Sequence, residues 1–190
     1  MTSVNTNYTT QNDLLLNNLM EFYKKEEYLD KMLRIITGDS RISLRIVDWF
    51  ATNYAKKYYT LYTIDDGQGH VKRFKVYFDY KLKLKAYSKR RFDPFCRWER
   101  INIPYKDGKF IETTIGQLNF FKWAIENNVI DFIETNYDTI EKDMNTRNST
   151  SKRKELKIDN TKTRKKREEL SISATKSIKK EEVEIVVQFN

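Results

Sequence analysis

The sequence predicts an α+β fold: an N-terminal helical hairpin, an antiparallel sheet of about four strands, C-terminal helices on the sheet's apolar face, and a disordered basic tail. Three observations carry this expectation. Apolar residues recur at helical spacing near the N-terminus, they alternate over a long central run, and beyond residue 143 large apolar residues thin out among Asn, Ser, Thr, Lys and Arg. The predicted organisation is a flexible N-terminus over 1–12, a single globular domain over 13–143, a basic tail over 144–182 and a short strand-like segment over 183–190.

Leu15, Leu19, Phe22, Leu29, Leu33 and Ile36 lie on one helical stripe over about 13–37, and Gly38 follows where a left-handed cap falls. Ser40 or Ser43 caps a second helix, with Leu44, Val47, Phe50, Ala51 and Tyr54 facing inward. Tyr58–Ile64 is rich in aromatic and β-branched residues, and a turn with Gly67 and Gly69 leads into the run 74–87. Along that run Phe74, Val76, Phe78, Tyr80, Leu82, Leu84 and Ala86 alternate with Lys75, Tyr77, Asp79, Lys81, Lys83, Lys85 and Tyr87. This reads as a strand with one buried and one cationic face.

Pro94 then forbids regular structure, and Arg100–Tyr105 and Gly108–Thr113 read as a second hairpin. Thr114 and Gln117 have capping-box spacing ahead of a helix whose apolar face is Ile115, Leu118, Phe121, Ala124 and Ile125. Asn127 and Asn128 interrupt it, and 129–143 forms a further helix.

Composition narrows the function classes. Among 190 residues there are 26 aromatics (11 Phe, 12 Tyr, 3 Trp), ample for a core, but one cysteine, Cys96, and one histidine, His70. Neither an internal disulfide nor a zinc site of soft ligands is expected, and no cofactor or metal is implied. No apolar run approaches the ~20 residues of a membrane span, and the N-terminus lacks a secretory pattern. The expectation is a soluble protein that is not secreted and has no membrane partner. Cys96 has no paired base and reads as a small buried thiol, and Asp65 and Asp66 belong to turn chemistry. With no glycine-rich phosphate loop or Ser/His/Asp order, no enzymatic activity is expected.

Charge by segment is more telling. Residues 72–100 hold 11 Lys/Arg against 3 Asp/Glu, a net +8, while 1–71 is −1, 101–150 is −3 and 151–190 is +5. A local field of that size attracts polyanions. Residues on the same side of a strand sit about 6.6 Å apart, close to phosphate spacing. Lys75, Lys81, Lys83, Lys85, Lys89, Arg90, Arg91, Arg97 and Arg100 therefore read as phosphate contacts, with Tyr77 and Tyr87 as stacking platforms.

Other readings compete with this one. The lysines equally suit a solvated edge strand, the arginines can pair with the acidic segments, and Phe92, Phe95 and Trp98 suit the core better than the surface. In the tail, Lys152, Arg153 and Lys154 with Lys162, Arg164, Lys165, Lys166 and Arg167 fit a nucleic-acid arm, a nuclear-import signal or a solvated linker. Val183, Ile185 and Val187 suit strand addition to this protein's own sheet or a partner's, and also fit a permissive SUMO-binding pattern.

The segments ISLRIVDWFATNYAKKY (42–58), FKVYFDYKLKLKAYSKRRFDPFCRWERI (74–101) and TTIGQLNFFKWAIENNVIDFI (113–133), in this order, resemble a family of small uncharacterised proteins of nucleocytoplasmic large DNA viruses of the mimivirus and phycodnavirus kind. Trp49, Asp93, Pro94, Phe95, Cys96 and Trp123 lie within them. The resemblance implies a viral origin and brings no activity or site residues. Together these readings predict a non-enzymatic, largely sequence-independent nucleic-acid-binding protein acting in viral DNA packaging or genome organisation. DNA is favoured over RNA, and the expected location is the virion or the infected cell's cytoplasm or nucleus. The alternative is a virion assembly adaptor that binds other viral proteins, in part through Val183, Ile185 and Val187.

Overall fold

The structure, a computed structural model, describes residues 10–65, 69–105, 108, 110–155 and 180–181, with 148–155 and 180–181 described as backbone only. The fold class is α+β. Helices α1 (Gln11–Tyr23) and α2 (Glu26–Thr37) are followed by α3 (Leu44–Trp49), which runs through a π turn (Phe50–Tyr54) into the short α4 (Ala55–Lys57). Strands β1 (Leu61–Asp65) and β2 (Val71–Lys75) form a hairpin, and α5 (Val76–Phe92) follows directly. A second hairpin, β3 (Arg100–Pro104) and β4 (Phe110–Thr114), leads into α6 (Ile115–Glu126), α7 (Val129–Thr135) and α8 (Tyr137–Glu155), and β5 (Lys180–Glu181) returns to the edge of β4.

Local chemistry sets most boundaries. Thr10 and Asp13 form a reciprocal capping box at α1, Ser43 Oγ accepts from the Ile46 amide at α3, and Thr114 Oγ1 accepts from the Gln117 amide at α6. The helix expected over 13–37 is two helices, broken at Lys24–Lys25. The break lets Tyr23 turn inward and donate its hydroxyl to the Leu118 carbonyl at 2.7 Å, while α2 buries Leu29, Met32, Leu33, Ile35 and Ile36. Asn128 adopts a left-handed conformation, φ 53°, between α6 and α7, where the asparagine pair was expected to interrupt the helix.

The strand expected over 74–87 is not a strand beyond Lys75. From Val76 onward it is α5, so the four-stranded sheet becomes two separate hairpins. Seventeen residues of α5 contain a single β-branched side chain, Val76, and its later turns hold Lys, Leu, Ala and Arg, all strong helix formers. Every second member of the apolar alternation, Val76, Tyr80 and Leu84, four residues apart, also lies on one helical stripe, and Val76 and Tyr80 are buried by it. The members between them, Phe78 and Leu82, are left 58% and 66% exposed.

Helix α6 is the centre of the core: Leu118, Phe120, Phe121 and Ala124 are fully buried. Its indole Trp123 meets Tyr80 and Phe92 of α5 at ring separations of 5.7 and 5.9 Å, and Phe92 meets Phe120 at 5.9 Å. Gly116 permits this closeness, since a Cβ there would stand 2.9 Å from the Asp93 carbonyl oxygen and 3.1 Å from that of Arg90. Packing continues past residue 143. Met144 is buried, and α8 carries Lys152, Arg153 and Lys154 as helical backbone instead of as the start of a structureless tail. Asp143, its side chain 7% exposed, pins α8 by accepting from Lys57 Nζ at 2.7 Å, Tyr58 Oη at 3.1 Å and Trp49 Nε1 at 3.2 Å. Burial pushes this carboxyl up, but the three donors outweigh it and hold it below its ordinary value.

Candidate nucleic-acid interface

Because residues two apart on a helix differ by about 200° in direction, the three alternating lysines of α5 cannot share a face. Lys81 and Lys85 are one turn apart and exposed, while Lys83 points to the other side and lines a cleft with Lys72, Asp79 and Lys122. The ladder of lysines tracking a phosphate backbone from one strand face is therefore absent. What survives is the net charge of the segment, redistributed over β2, the outer face of α5 and its C-terminal turn.

Each expected contact has a definite place. Lys75 is exposed at the end of β2, and Lys81, Lys85, Lys89 and Arg90 are exposed along α5. Arg90 lies over the Trp98 ring at 5.2 Å. Arg91 is drawn inward and donates to Asn12 Oδ1 at 2.7 Å and Gln11 Oε1 at 3.1 Å, tying α5 to α1. Arg100 pairs with Glu112 at 2.7 Å across the second hairpin, and Arg97 is exposed but engaged with a neighbour. Tyr87 stacks one face on the buried Phe92, its ring 6.1 Å away at 17°, and lines the cleft instead of the outer face, while Tyr77 is half-buried beneath Lys56. Phe92 is fully buried, as the core reading held, and Phe95 and Trp98 are partly buried. Lys162, Arg164, Lys165, Lys166 and Arg167, with Val183, Ile185 and Val187, lie outside the described residues.

Among the described residues no ion pair is formed by Lys72, Arg73, Lys75, Lys81, Lys83, Lys85, Lys89 or Arg90. The expected pairing of such cations with the acidic segments is thus not made by any described carboxylate for these eight residues. Ser88 interrupts α5 at φ 65°, ψ 167°, a region nearly confined to glycine, and so re-aims Lys89 and Arg90 relative to Lys81 and Lys85.

Three features were not anticipated from the sequence. The first is an apolar groove of about 440 Å³ where Tyr59, Leu61, Tyr77 and Phe78 meet beside Lys56 and Lys75. Tyr59 is 80% exposed there. The second is Asp48 on α3, whose carboxyl is raised to about 7 by burial and, secondarily, by Asp93. Asp93 also acts with burial to push the Cys96 thiol up, against Arg90 and Lys89, which is the opposite of nucleophile activation. The third is the cleft between α1, β2, α5 and α6, whose sequence signal is Asn119, a polar residue inside the apolar stretch of α6. No group of three or more His, Cys, Asp or Glu suited to a metal occurs among the described residues, and no helix there is long and apolar enough to cross a membrane.

A family model described as a family of unknown function, DUF7197, matches residues 2–189. The chain belongs to this family. It is similar to an uncharacterised protein, L507, of Acanthamoeba polyphaga mimivirus, with 42% identity over 159 residues, which is 80% of this chain and 60% of that protein. The chain thus spans less than two thirds of that relative's length. The resemblance to uncharacterised proteins of large DNA viruses, drawn from segments 42–58, 74–101 and 113–133, holds, and no solved structure matches the chain.

Proposed function

We propose that this DUF7197 protein is a non-enzymatic nucleic-acid-binding protein, largely indifferent to sequence, that serves a giant virus in packaging or organising its DNA. One observation carries the reading: the cations of 72–90 are left unneutralised by any described carboxylate, although the flanking segments are net acidic. The contact surface is Lys75, Lys81, Lys85, Lys89 and Arg90. Lys83 faces the cleft away from this surface, Arg91 and Arg100 are bonded within the fold, and the tail cations from Lys152 to Arg167 add affinity without specificity. An outer face built from flexible lysines, with its tyrosines engaged by the fold, suits phosphates better than base edges.

The test is a retardation assay on the full chain with single- and double-stranded DNA and RNA across salt. With three to six phosphates engaged, single-strand affinity falls with a log–log salt slope of about −2 to −4, and Lys81→Glu with Lys85→Glu weakens it about tenfold or more. A slope near zero overturns the proposal.

A second reading, an assembly adaptor, is favoured by the groove at Tyr59, Leu61 and Phe78 with the adjoining Leu82, since exposed apolar surface of this kind commonly meets another protein. The pairing of Lys180–Glu181 with Ile111–Phe110 adds to it, because the edge of β4 accepts a strand. Phe78→Ser with Leu82→Ser separates the two readings: an adaptor loses its viral partner in pull-down from infected cells, while a nucleic-acid binder keeps its retardation.

A further inference from the structure

The cleft between α1, β2, α5 and α6 has a volume of about 630 Å³, within the range of sites that enclose a small organic ligand. Lys72, Lys83, Lys122, Tyr87, Trp123 and Asn119 line it. Its two carboxylates are already engaged by neighbours. Asp79 Oδ1 accepts the Trp123 indole N–H at 2.7 Å, and Glu126 stands 3.7 Å from Lys122 Nζ, which also donates to Asn18 Oδ1. Lys72 and Lys83 form no ion pair with any described residue, so the cleft presents two ammonium groups beyond its own two carboxylates and is net positive.

Asn119 specifies more than charge. It is only 5% exposed and donates Nδ2 to the Arg91 carbonyl at 2.9 Å, which leaves Oδ1 without a partner. Every fully enclosed side-chain nitrogen and oxygen among the described residues has a partner, so this Oδ1 opens onto the cleft. An acceptor held open at the floor of a cleft is free to take a hydrogen bond from a ligand in place of solvent. Its orientation is held by the Nδ2 bond, so it is preorganised.

We propose that the cleft binds a nucleotide. The phosphate meets Lys72 and Lys83, a base N–H or amino group donates to Asn119 Oδ1, and the base lies against Tyr87, whose ring is held rigid by stacking on Phe92. Lys83 thereby gains a role distinct from that of Lys81 and Lys85, which lie on the other side of α5. The inference goes beyond the outer-face reading and stands without it, and the nucleotide is either free or one unit of a single strand.

Isothermal titration of the full chain with AMP, CMP, GMP and UMP in turn, with ribose 5-phosphate and inorganic phosphate as controls and a short single-stranded oligonucleotide as a second arm, tests this. Nucleotides bind at one site at least about tenfold more tightly than ribose 5-phosphate, and Lys72→Glu or Lys83→Glu weakens them by about tenfold. Asn119→Ala reduces nucleotides to the level of ribose 5-phosphate; where that variant unfolds, the two lysine variants, both at accessible positions, decide. Binding of mononucleotides identifies a free-nucleotide site, whereas oligonucleotide binding alone, sensitive to Lys83→Glu, identifies a strand unit. Nucleotides no tighter than inorganic phosphate, together with oligonucleotide binding that responds only to Lys81→Glu and Lys85→Glu, overturn this inference and leave the outer-face proposal standing.

Discussion

Helices α5 and α6 pack against each other through one aromatic cluster, yet they use their surfaces in opposite ways. From Ile115 to Phe121 every residue of α6 is buried, whereas α5 buries Val76, Tyr80 and Phe92 and turns Phe78, Leu82 and its lysines to solvent. Helix α6 is what its neighbours make it, a strut that stability requires. In α5 the chain carries more apolar surface than the fold consumes, and the excess sits among uncommitted cations. A stability demand accounts for the first helix and not for the second, which makes the outer face of α5 the place to look for function.

The largest expected effect tests whether that contact is as tight as it looks. Gly116→Ala sets a methyl group against the Asp93 and Arg90 carbonyls, neither of which can rotate away, and is expected to cost about 3 kcal/mol in urea unfolding. A loss under about 0.5 kcal/mol would mean that α6 slides freely on α5.

Next comes a pH effect from beneath α5, where Asp48 is buried near Asp93, whose charge adds to its rise, and near Tyr80, whose hydroxyl it helps push up. Its ordinary value is 3.8 and its folded value about 7, so the folded protein keeps a proton that the unfolded chain has already released. Stability from this group is full below about pH 4, declines as pH rises toward 7, and is level above that. Asp48→Asn is expected to leave stability unchanged at pH 4 and to raise it by about 2 kcal/mol at pH 8, a figure reduced for the group's partial contact with solvent. Equal stability of variant and parent at pH 8 would remove the burial argument.

A smaller effect concerns the kink. Ser88→Gly relieves a conformation that serine adopts only under strain, and a gain of about 1 kcal/mol is expected from thermal or urea midpoints. A loss would show that the serine side chain holds the bend. The smallest effect sharpens the contrast itself: Phe78→Ser with Leu82→Ser should shift unfolding by less than about 0.5 kcal/mol, since neither side chain is buried. A loss of 2 kcal/mol or more would place these residues in the core.

The alternation over 74–87 misled because it satisfies two periods at once. Large apolar residues at every second position also occupy every fourth, and Val76, Tyr80 and Leu84 are enough to seat a helix on Trp123 and Phe120. The scarcity of β-branched residues was the legible clue. The first strand, the second hairpin, the caps at Ser43 and Thr114 and the break at Asn127–Asn128 were readable because each rests on contacts within a few residues. The cleft was not, since Lys72, Lys83, Asn119 and Lys122 come from three elements that meet only after folding.

By itself, then, the chain determined an α+β body, where most helices begin, and a concentration of positive charge between 72 and 100, since these follow from composition and short-range bonding. Tertiary structure alone decided which way each lysine of that segment faces. A repeat compatible with both strand and helix is resolved by whichever arrangement buries more aromatic surface, and here the partner that settled it was α6.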